Sequence, residues 1–449
     1  MTIVPKIVLV GGGSVNWTPK LLNDLTLTPS LAGARYTIYD KDEEAAGRMA
    51  RLGEKLARDR GLAATFDYAM NEREAFAGAS FFLITISTGE LDAMAHDLDI
   101  PERYRIYQTV GDTVGPGGWA RALRNIPVFA QLARSMERYA PNAVVLNYTN
   151  PLATLTKTFY AVSGLKTVGL CHGVFETYDA LMNLFGLESE EEIKVRFGGT
   201  NHFFWILDMR IRGEDGYAML RHRLKDKKLS ELLAEGGSNH SVYASGHLVC
   251  EELFERTGFL PYIADRHTSE FLPAYLTGDV RNLERHGLKR TTIADRRAYK
   301  QGERERLTRL LDGAETLPDR RSRESAADIL GAFASGREFI DVVNVPNAGQ
   351  IRNLPPGSVV ETLGVVNRLG FTPLTVGDLP EPILNMVLPH VNNQNLIVEA
   401  ALIGNKDQAL HALYNDPLCA HLTWSEIREM GLKLLEAHRP YLPQFYSGE

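Results

Sequence analysis

Two rhythms of apolar and polar residues run along the chain: short continuous apolar runs of strand length, and longer stretches with apolar residues on one helical face. Lys6–Val10 is the first such run, and Gly11-Gly12-Gly13-Ser14-Val15-Asn16 follows it directly. A helix is expected from about Thr18-Pro19, because proline suits a first helical turn and Leu21, Leu22 and Leu25 then share a face. Strands are expected at Tyr36–Asp40, Thr65–Tyr68, Phe81–Ile86 and Ala143–Asn147, with a helix over about 42–60. A long amphipathic segment, Trp119 to Tyr139, is expected to break or kink at Pro127. A last run starts at Lys166 and opens through Cys171-His172-Gly173 into another helix. Strands alternating with helices in this way predict an α/β fold built on a Rossmann-like, doubly wound parallel sheet.

Beyond about residue 175 the pattern loosens into mixed helices and short strands. The charged stretch from Asp279 to Arg323 reads as exposed helix or loop, its arginines forming a solvated face. Helical periodicity returns at about 383–403, 406–415 and 424–438. The expected organisation is a dinucleotide domain over 1–174 and a second, mainly helical α+β domain over 175–449 around a small sheet. Two domains also fit the size: 449 residues exceed the length, about 250–300, at which one core stops growing.

Composition narrows the partners. A net charge of −7 gives no general reason to bind nucleic acid or an anionic membrane. No stretch approaches about 20 uninterrupted apolar residues, so no membrane span is expected. Three cysteines, Cys171, Cys250 and Cys419, do not suggest a disulfide framework. With no charged leader ahead of the first strand, a reducing cytoplasm is the expected location.

The chemistry-bearing residues cluster at strand ends. Glycines between strand and helix let the backbone approach a pyrophosphate, which puts Gly11, Gly13, Ser14, Val15 and Asn16 forward as cofactor contacts. Asp40, at the next strand's end, suits the ribose hydroxyls of NAD rather than a 2′-phosphate, and Ser87 ends the Phe81–Ile86 run where a dinucleotide passes. Cys171 alone is either a small buried hydrophobe or a ligand; with His172 beside it and His202 further on, a divalent metal site becomes the sharper alternative.

Taken together, Gly11-Gly12-Gly13-Ser14, Thr113–Gly118 with Arg121–Val128, Asn147-Tyr148-Thr149-Asn150-Pro151, Cys171-His172-Gly173, Asn201-His202, Val345-Pro346-Asn347, Asn353-Leu354-Pro355 and Glu399-Ala400-Ala401 resemble glycoside hydrolase family 4 along nearly the whole chain. That resemblance implies NAD and Mn2+, or another divalent metal, as cofactors, and a second domain like that of lactate and malate dehydrogenases. It also implies a redox cycle in place of two-carboxylate hydrolysis: C3 oxidation, C2 deprotonation, 1,2-elimination, water addition and re-reduction. Carried over by position, Cys171 and His202 match the metal ligands, Asn147 and Asn150 lie against the cofactor, and Asn150 also bridges to the sugar. His172 matches the acid for the leaving group, or else a sugar-binding group. For the base, Asp265 is the first choice and Tyr262 the second, with a structural ion pair as the alternative for Asp265. Asp112 stands where many members carry a longer glutamate, and it either meets the substrate or caps its loop.

The residues after the cysteine resemble members acting on uronides, so an α-glycoside with an anionic C6 group is expected, with Arg266 and His267 facing the sugar. Trp119 departs from the family pattern and reads either as pocket wall or as helix-packing core. A sulfoquinovosidase with the same cycle and a neutral α-glucosidase or α-galactosidase are the alternatives within this chemistry. Outside it stand a 2-hydroxy acid or sugar dehydrogenase, which needs no metal thiolate, and a dinucleotide sensor without turnover. The resemblance further implies a homodimer or homotetramer.

Overall fold

The computed structural model describes residues 4–235 and 245–446. Six strands follow the expected βα rhythm: β1 (Lys6–Val10), β2 (Arg35–Tyr39), β3 (Thr65–Ala69), β4 (Phe81–Ile84), β5 (Val144–Asn147) and β6 (Lys166–Gly169). All five pairings among them are parallel, in the order β3-β2-β1-β4-β5-β6. This is the doubly wound order, whose ligand crevice opens at the strands' carboxyl ends. The strands are nearly continuous apolar runs because helices cover both faces; β4 and β5 are buried at every position.

Local signals place the helices. Pro19 sits in the first turn of Thr18–Thr26, and the Asp42 carboxylate accepts from the Ala45 amide to cap Glu43–Asp59. Of the break or kink expected at Pro127, the break does not occur. A single helix spans Gly115–Tyr139, starting four residues before Trp119, and Leu123, Ile126, Phe129, Ala133 and Met136 on its buried face hold it through the proline. Tertiary burial outweighs the missing hydrogen bond.

The second half brings β7 (Ile193–Thr200), β8 (Phe203–Ile211), β9 (Glu214–Asp215), β10 (Leu260–Pro261), β11 (Phe339–Pro346), β12 (Val359–Asn367) and β13 (Gly370–Pro373). These do not form a small sheet of their own. They extend the parallel sheet antiparallel, in the order β6-β11-β12-β7-β8-β10, with β13 on β12 and β9 on β8. The junction is narrow: β6 meets β11 only through Gly169 opposite Asn344, and a Cβ on Gly169 would lie 2.7 Å from Thr156 Oγ1 and 3.0 Å from Asn344 Cβ.

The carboxyl-terminal helices Glu381–Ile403, Lys406–Tyr414 and Trp424–Ala437 appear where their periodicity predicted. They pack back on the helices of the first half. The indole of Trp119 is buried there and donates to Ala409 O at 2.7 Å, so Trp119 is core and not pocket wall. The fully buried pair Asp97 and Arg124 is joined by two bonds of 2.7 and 2.6 Å, and His438, just past the last long helix, lies 2.9 Å from the same carboxylate. No helix among the described residues is long and apolar enough to cross a membrane.

Candidate active site

A cavity of about 410 Å³ opens at the carboxyl ends of the parallel strands. Asn16 and Trp17 enter from the turn after β1, Tyr148 and Asn150 from beyond β5, and Cys171 and His172 from beyond β6. His202 comes from the antiparallel half, in the tight connection between β7 and β8, with its backbone at φ +67°. A left-handed histidine costs about 1 kcal/mol or more, and such strain is concentrated at functional sites. Loops on the far side add Asp112, Tyr262 and His267.

Asp112, His202 and His267 present ligand atoms that all lie within 4.8 Å of one another. The two imidazoles lie 4.1 Å apart between centroids, tilted by 32°. Burial first, and then the neighbouring ring, pushes the His202 pKa well below its usual value, and burial lowers that of His267 too. Both are therefore neutral at pH 7, the form that binds metals. His202 Nδ1 is 3.0 Å from Thr113 Oγ1, which fixes the ring, while His267 Nδ1 is buried with no partner among the described residues. Burial pushes the Asp112 carboxyl up, but in acid, where the imidazoles can carry protons, His267, Arg121, His202 and Arg296 together outweigh it and hold the group below the usual range. Two imidazoles, one of them with an orphaned buried nitrogen, and a carboxylate fit a divalent ion such as Mn2+. Cys171 lines the same cavity but lies outside this group of three, so the pair Cys171 and His202 expected from sequence is not the compact cluster. Burial, with Glu361 adding to it, pushes the Cys171 thiol up, against bonds from the Gly173 amide and the Asn201 side chain.

Around this cluster stand the proton-handling groups. Tyr262 donates its hydroxyl to Glu176 Oε2 at 2.8 Å, and burial, reinforced by that carboxylate, pushes the phenol well up. His172 is flanked by carboxylates, with Nε2 3.6 Å from Glu176 Oε1 and Nδ1 3.8 Å from Glu324 Oε1. The Asn150 amide reaches Asp112 Oδ2 at 3.4 Å, and Arg121 Nε donates to Asn150 O at 2.9 Å.

Several expected site residues are engaged elsewhere. Asp265 does not line the cavity: its carboxylate accepts from the Val249 and Cys250 amides at 3.2 and 2.9 Å, at the start of helix Leu248–Thr257. The same one-turn helix, Asp265–Thr268, turns His267 inward, so the two side chains point to different neighbours. Arg266 lines the cavity, but its guanidinium donates to Lys289 O at 2.8 Å and to Thr291 Oγ1. Asn147 is turned to its own loop, accepting from Thr149 N at 2.8 Å and donating to Thr156 Oγ1 at 3.2 Å.

The glycine turn has the expected form. Gly11, at φ +74°, and Gly12 both donate to Tyr39 O, and a Cβ at Gly11 would meet Thr85 O at 2.9 Å. Asp40 Oδ2 accepts from Gly13 N at 2.8 Å, Ser14 Oγ accepts from Trp17 N at 3.3 Å, and Val15 packs partly buried nearby. Ser87 is exposed just beyond β4, and Asn16 is exposed at the cavity edge.

Sequence reasoning missed Glu176, Glu324 and Glu270, and also Arg296, Tyr299 and Lys300, which line the cavity from the helix Ile293–Asp312. That helix is the charged stretch expected to be only a solvated face. The spacing of Arg296, Tyr299 and Lys300 at i, i+3 and i+4 was the available signal that they share a side.

Comparison with known proteins agrees with this architecture. Residues 6–187 match the family model described as family 4 glycosyl hydrolase, and residues 197–419 match that of its C-terminal domain. An alpha-galacturonidase of Bacillus subtilis (strain 168) is 35% identical over 422 residues, covering 92% of this chain and 93% of its own. The crystal structure of lplD from Bacillus subtilis is 32% identical, with a TM-score of 0.87 and coverage of 96% of this chain and 100% of that one. A 6-phospho-alpha-glucosidase from gut microorganisms, solved with NAD and Mn2+, shares the fold at 22% identity and a TM-score of 0.78, covering 98% and 99% of the two chains. The chain is an enzyme, a glycoside hydrolase, and it belongs to family 4 of the glycosyl hydrolases.

Proposed function

We propose that this enzyme hydrolyses α-glycosides of uronic acids with the help of NAD and a divalent metal, Mn2+ in the first instance. The observation that carries the reading is one cavity at the carboxyl ends of a doubly wound sheet, holding Asp112, His202 and His267 within 4.8 Å and reaching Asn16 of the glycine turn. Residues 1–174 are the dinucleotide domain in this proposal, and 175–449 supply the remaining walls. Gly11, Gly13, Ser14, Val15, Asn16, Asp40 and Ser87 would hold the dinucleotide; Asp112, His202 and His267, with Cys171 beside them, would hold the metal. When bound, NAD supplies a reversible hydride acceptor and the metal a Lewis acid at the sugar oxygens.

The chain's own groups handle position and protons. The Asn150 amide can hold a sugar hydroxyl, since it carries both a donor and an acceptor. Tyr262 is the proposed base for the C2 proton, acting in its ionised form, and Glu176, 2.8 Å from its hydroxyl, orients it. His172, with Glu176 Oε1 and Glu324 Oε1 at 3.6 and 3.8 Å from its two ring nitrogens, is the proposed donor of the proton to the departing glycosidic oxygen. The uronide is supported by the alpha-galacturonidase relative and by three cationic side chains, Arg266, Arg296 and Lys300, lining one cavity. A cytoplasmic location and a homodimer or homotetramer belong to the proposal; Trp424, 78% exposed, is a candidate contact.

The test is exchange at C2. Turnover of an α-galacturonide in deuterium oxide is expected to leave one deuterium at C2 of the released sugar, read by proton NMR. Product carrying only hydrogen at C2 would overturn the elimination route.

A further inference from the structure

We propose that Arg296 reads the anionic C6 group of the substrate and so sets preference for a uronide over the corresponding neutral hexoside; this assignment rests on the acidic-glycoside reading above. Its basis is an inventory of positive charge in the cavity. Three cationic side chains line it. Arg266 is engaged by Lys289 O and Thr291 Oγ1. Lys300 bonds the Glu90 carboxylate. Arg296 differs from both: Nη2 donates to Val110 O at 3.0 Å, while Nε is buried with no acceptor among the described residues.

A buried guanidinium donor without an acceptor is unfavourable, and a bound oxygen that completes it removes that penalty. The planar fork of donors matches a carboxylate better than the single hydroxyl of a neutral C6 group. The scaffold also suits the task. Thr292 and Asp295 cap the helix Ile293–Asp312 reciprocally, so Arg296 sits in a fixed first turn with Tyr299 and Lys300 on the same side. Arg296 contributes to the positive field at Asp112, which puts its charge beside the proposed metal ligands. The bond to Val110 O, two residues before Asp112, couples the guanidinium to the loop that presents that carboxylate.

The test compares two substrates that differ only at C6, 4-nitrophenyl α-galacturonide and 4-nitrophenyl α-galactoside, with the full enzyme, NAD and Mn2+. Binding of free galacturonate and galactose is followed by calorimetry as a readout independent of turnover. In Arg296→Gln, kcat/KM for the galacturonide is expected to fall at least about 30-fold, with the galactoside changing by less than about 3-fold and the calorimetric preference for galacturonate lost. Arg296→Lys should recover part of the preference, and Lys300→Gln should keep most of it. Equal losses on both substrates would mean that Arg296 only holds the Val110 loop, and would overturn the proposal. Undiminished discrimination in Arg296→Gln, or its loss in Lys300→Gln alone, would overturn it while leaving the uronide reading intact. A wild-type enzyme that treats the two substrates and the two free sugars alike would overturn both.

Discussion

The imidazoles of His202 and His267 lie 4.1 Å apart between centroids, tilted by 32°, although one comes from the connection between β7 and β8 and the other from a one-turn helix 65 residues later. Burial disfavours a proton on either ring, and the neighbouring His267 adds to this at His202, so the pair stands ready as neutral donors. His202→Ala and His267→Ala are each expected to weaken Mn2+ binding at least about 10-fold in calorimetric titration, with NAD affinity retained. Unchanged Mn2+ affinity in both variants would place the metal elsewhere.

Tyr262 tests the proton path. Removing only its hydroxyl, in Tyr262→Phe, leaves the ring stacked on Phe204 at 5.2 Å. The expected loss in kcat is about 100- to 10,000-fold, with little change in melting temperature. A Tyr262→Phe enzyme within about 3-fold of wild type would remove Tyr262 from the base role.

Glu270 gives a pH signature. Its Oε1 accepts from the Val110 and Gly111 amides at 2.7 and 2.8 Å, pinning the loop that carries Asp112. Burial raises its pKa from 4.5 to about 7. Between those values folded Glu270 keeps a proton that the unfolded chain has released, so its stabilisation is complete below pH 4.5 and is lost as pH rises through about 7. Glu270→Gln lacks this dependence. Urea midpoints should therefore show wild type losing stability relative to Glu270→Gln from pH 5 to about pH 8. A difference that does not change with pH would contradict the protonated carboxyl.

The Asp97 and Arg124 pair tests how the carboxyl-terminal helices are anchored. Asp97→Asn leaves a fully buried guanidinium without its charge partner and is expected to cost about 3–5 kcal/mol in urea unfolding. A cost under about 1 kcal/mol, the value of an exposed pair, would mean that water reaches the site.

The first half of the fold was legible because each strand and helix carries its own period and its own stop signals. β1 begins and ends where its apolar run does, and Pro19 and Asp42 mark helix starts. The merging of the sheets was not legible, because one bridge between Gly169 and Asn344, 175 residues apart, decides it and leaves no local pattern. In the site, His172 was readable from its place at a strand end, and His202 and Tyr262 through the family resemblance. Asp265 misled because it shares a motif with His267 while a single helical turn sends its carboxylate to the Val249 and Cys250 amides. Arg296 was hidden in a charged stretch whose outer face is solvated and whose inner face completes the cavity.

The most direct test of the account is hydrolysis of a chromogenic panel of α- and β-linked glucuronide, galacturonide, glucoside, galactoside, 6-phosphoglucoside and α-sulfoquinovoside, each with and without NAD and Mn2+. Release of chromophore from an α-uronide is expected to require both additions and to produce no net NADH. Steady NADH accumulation without chromophore release, or full activity after both are removed, would contradict it.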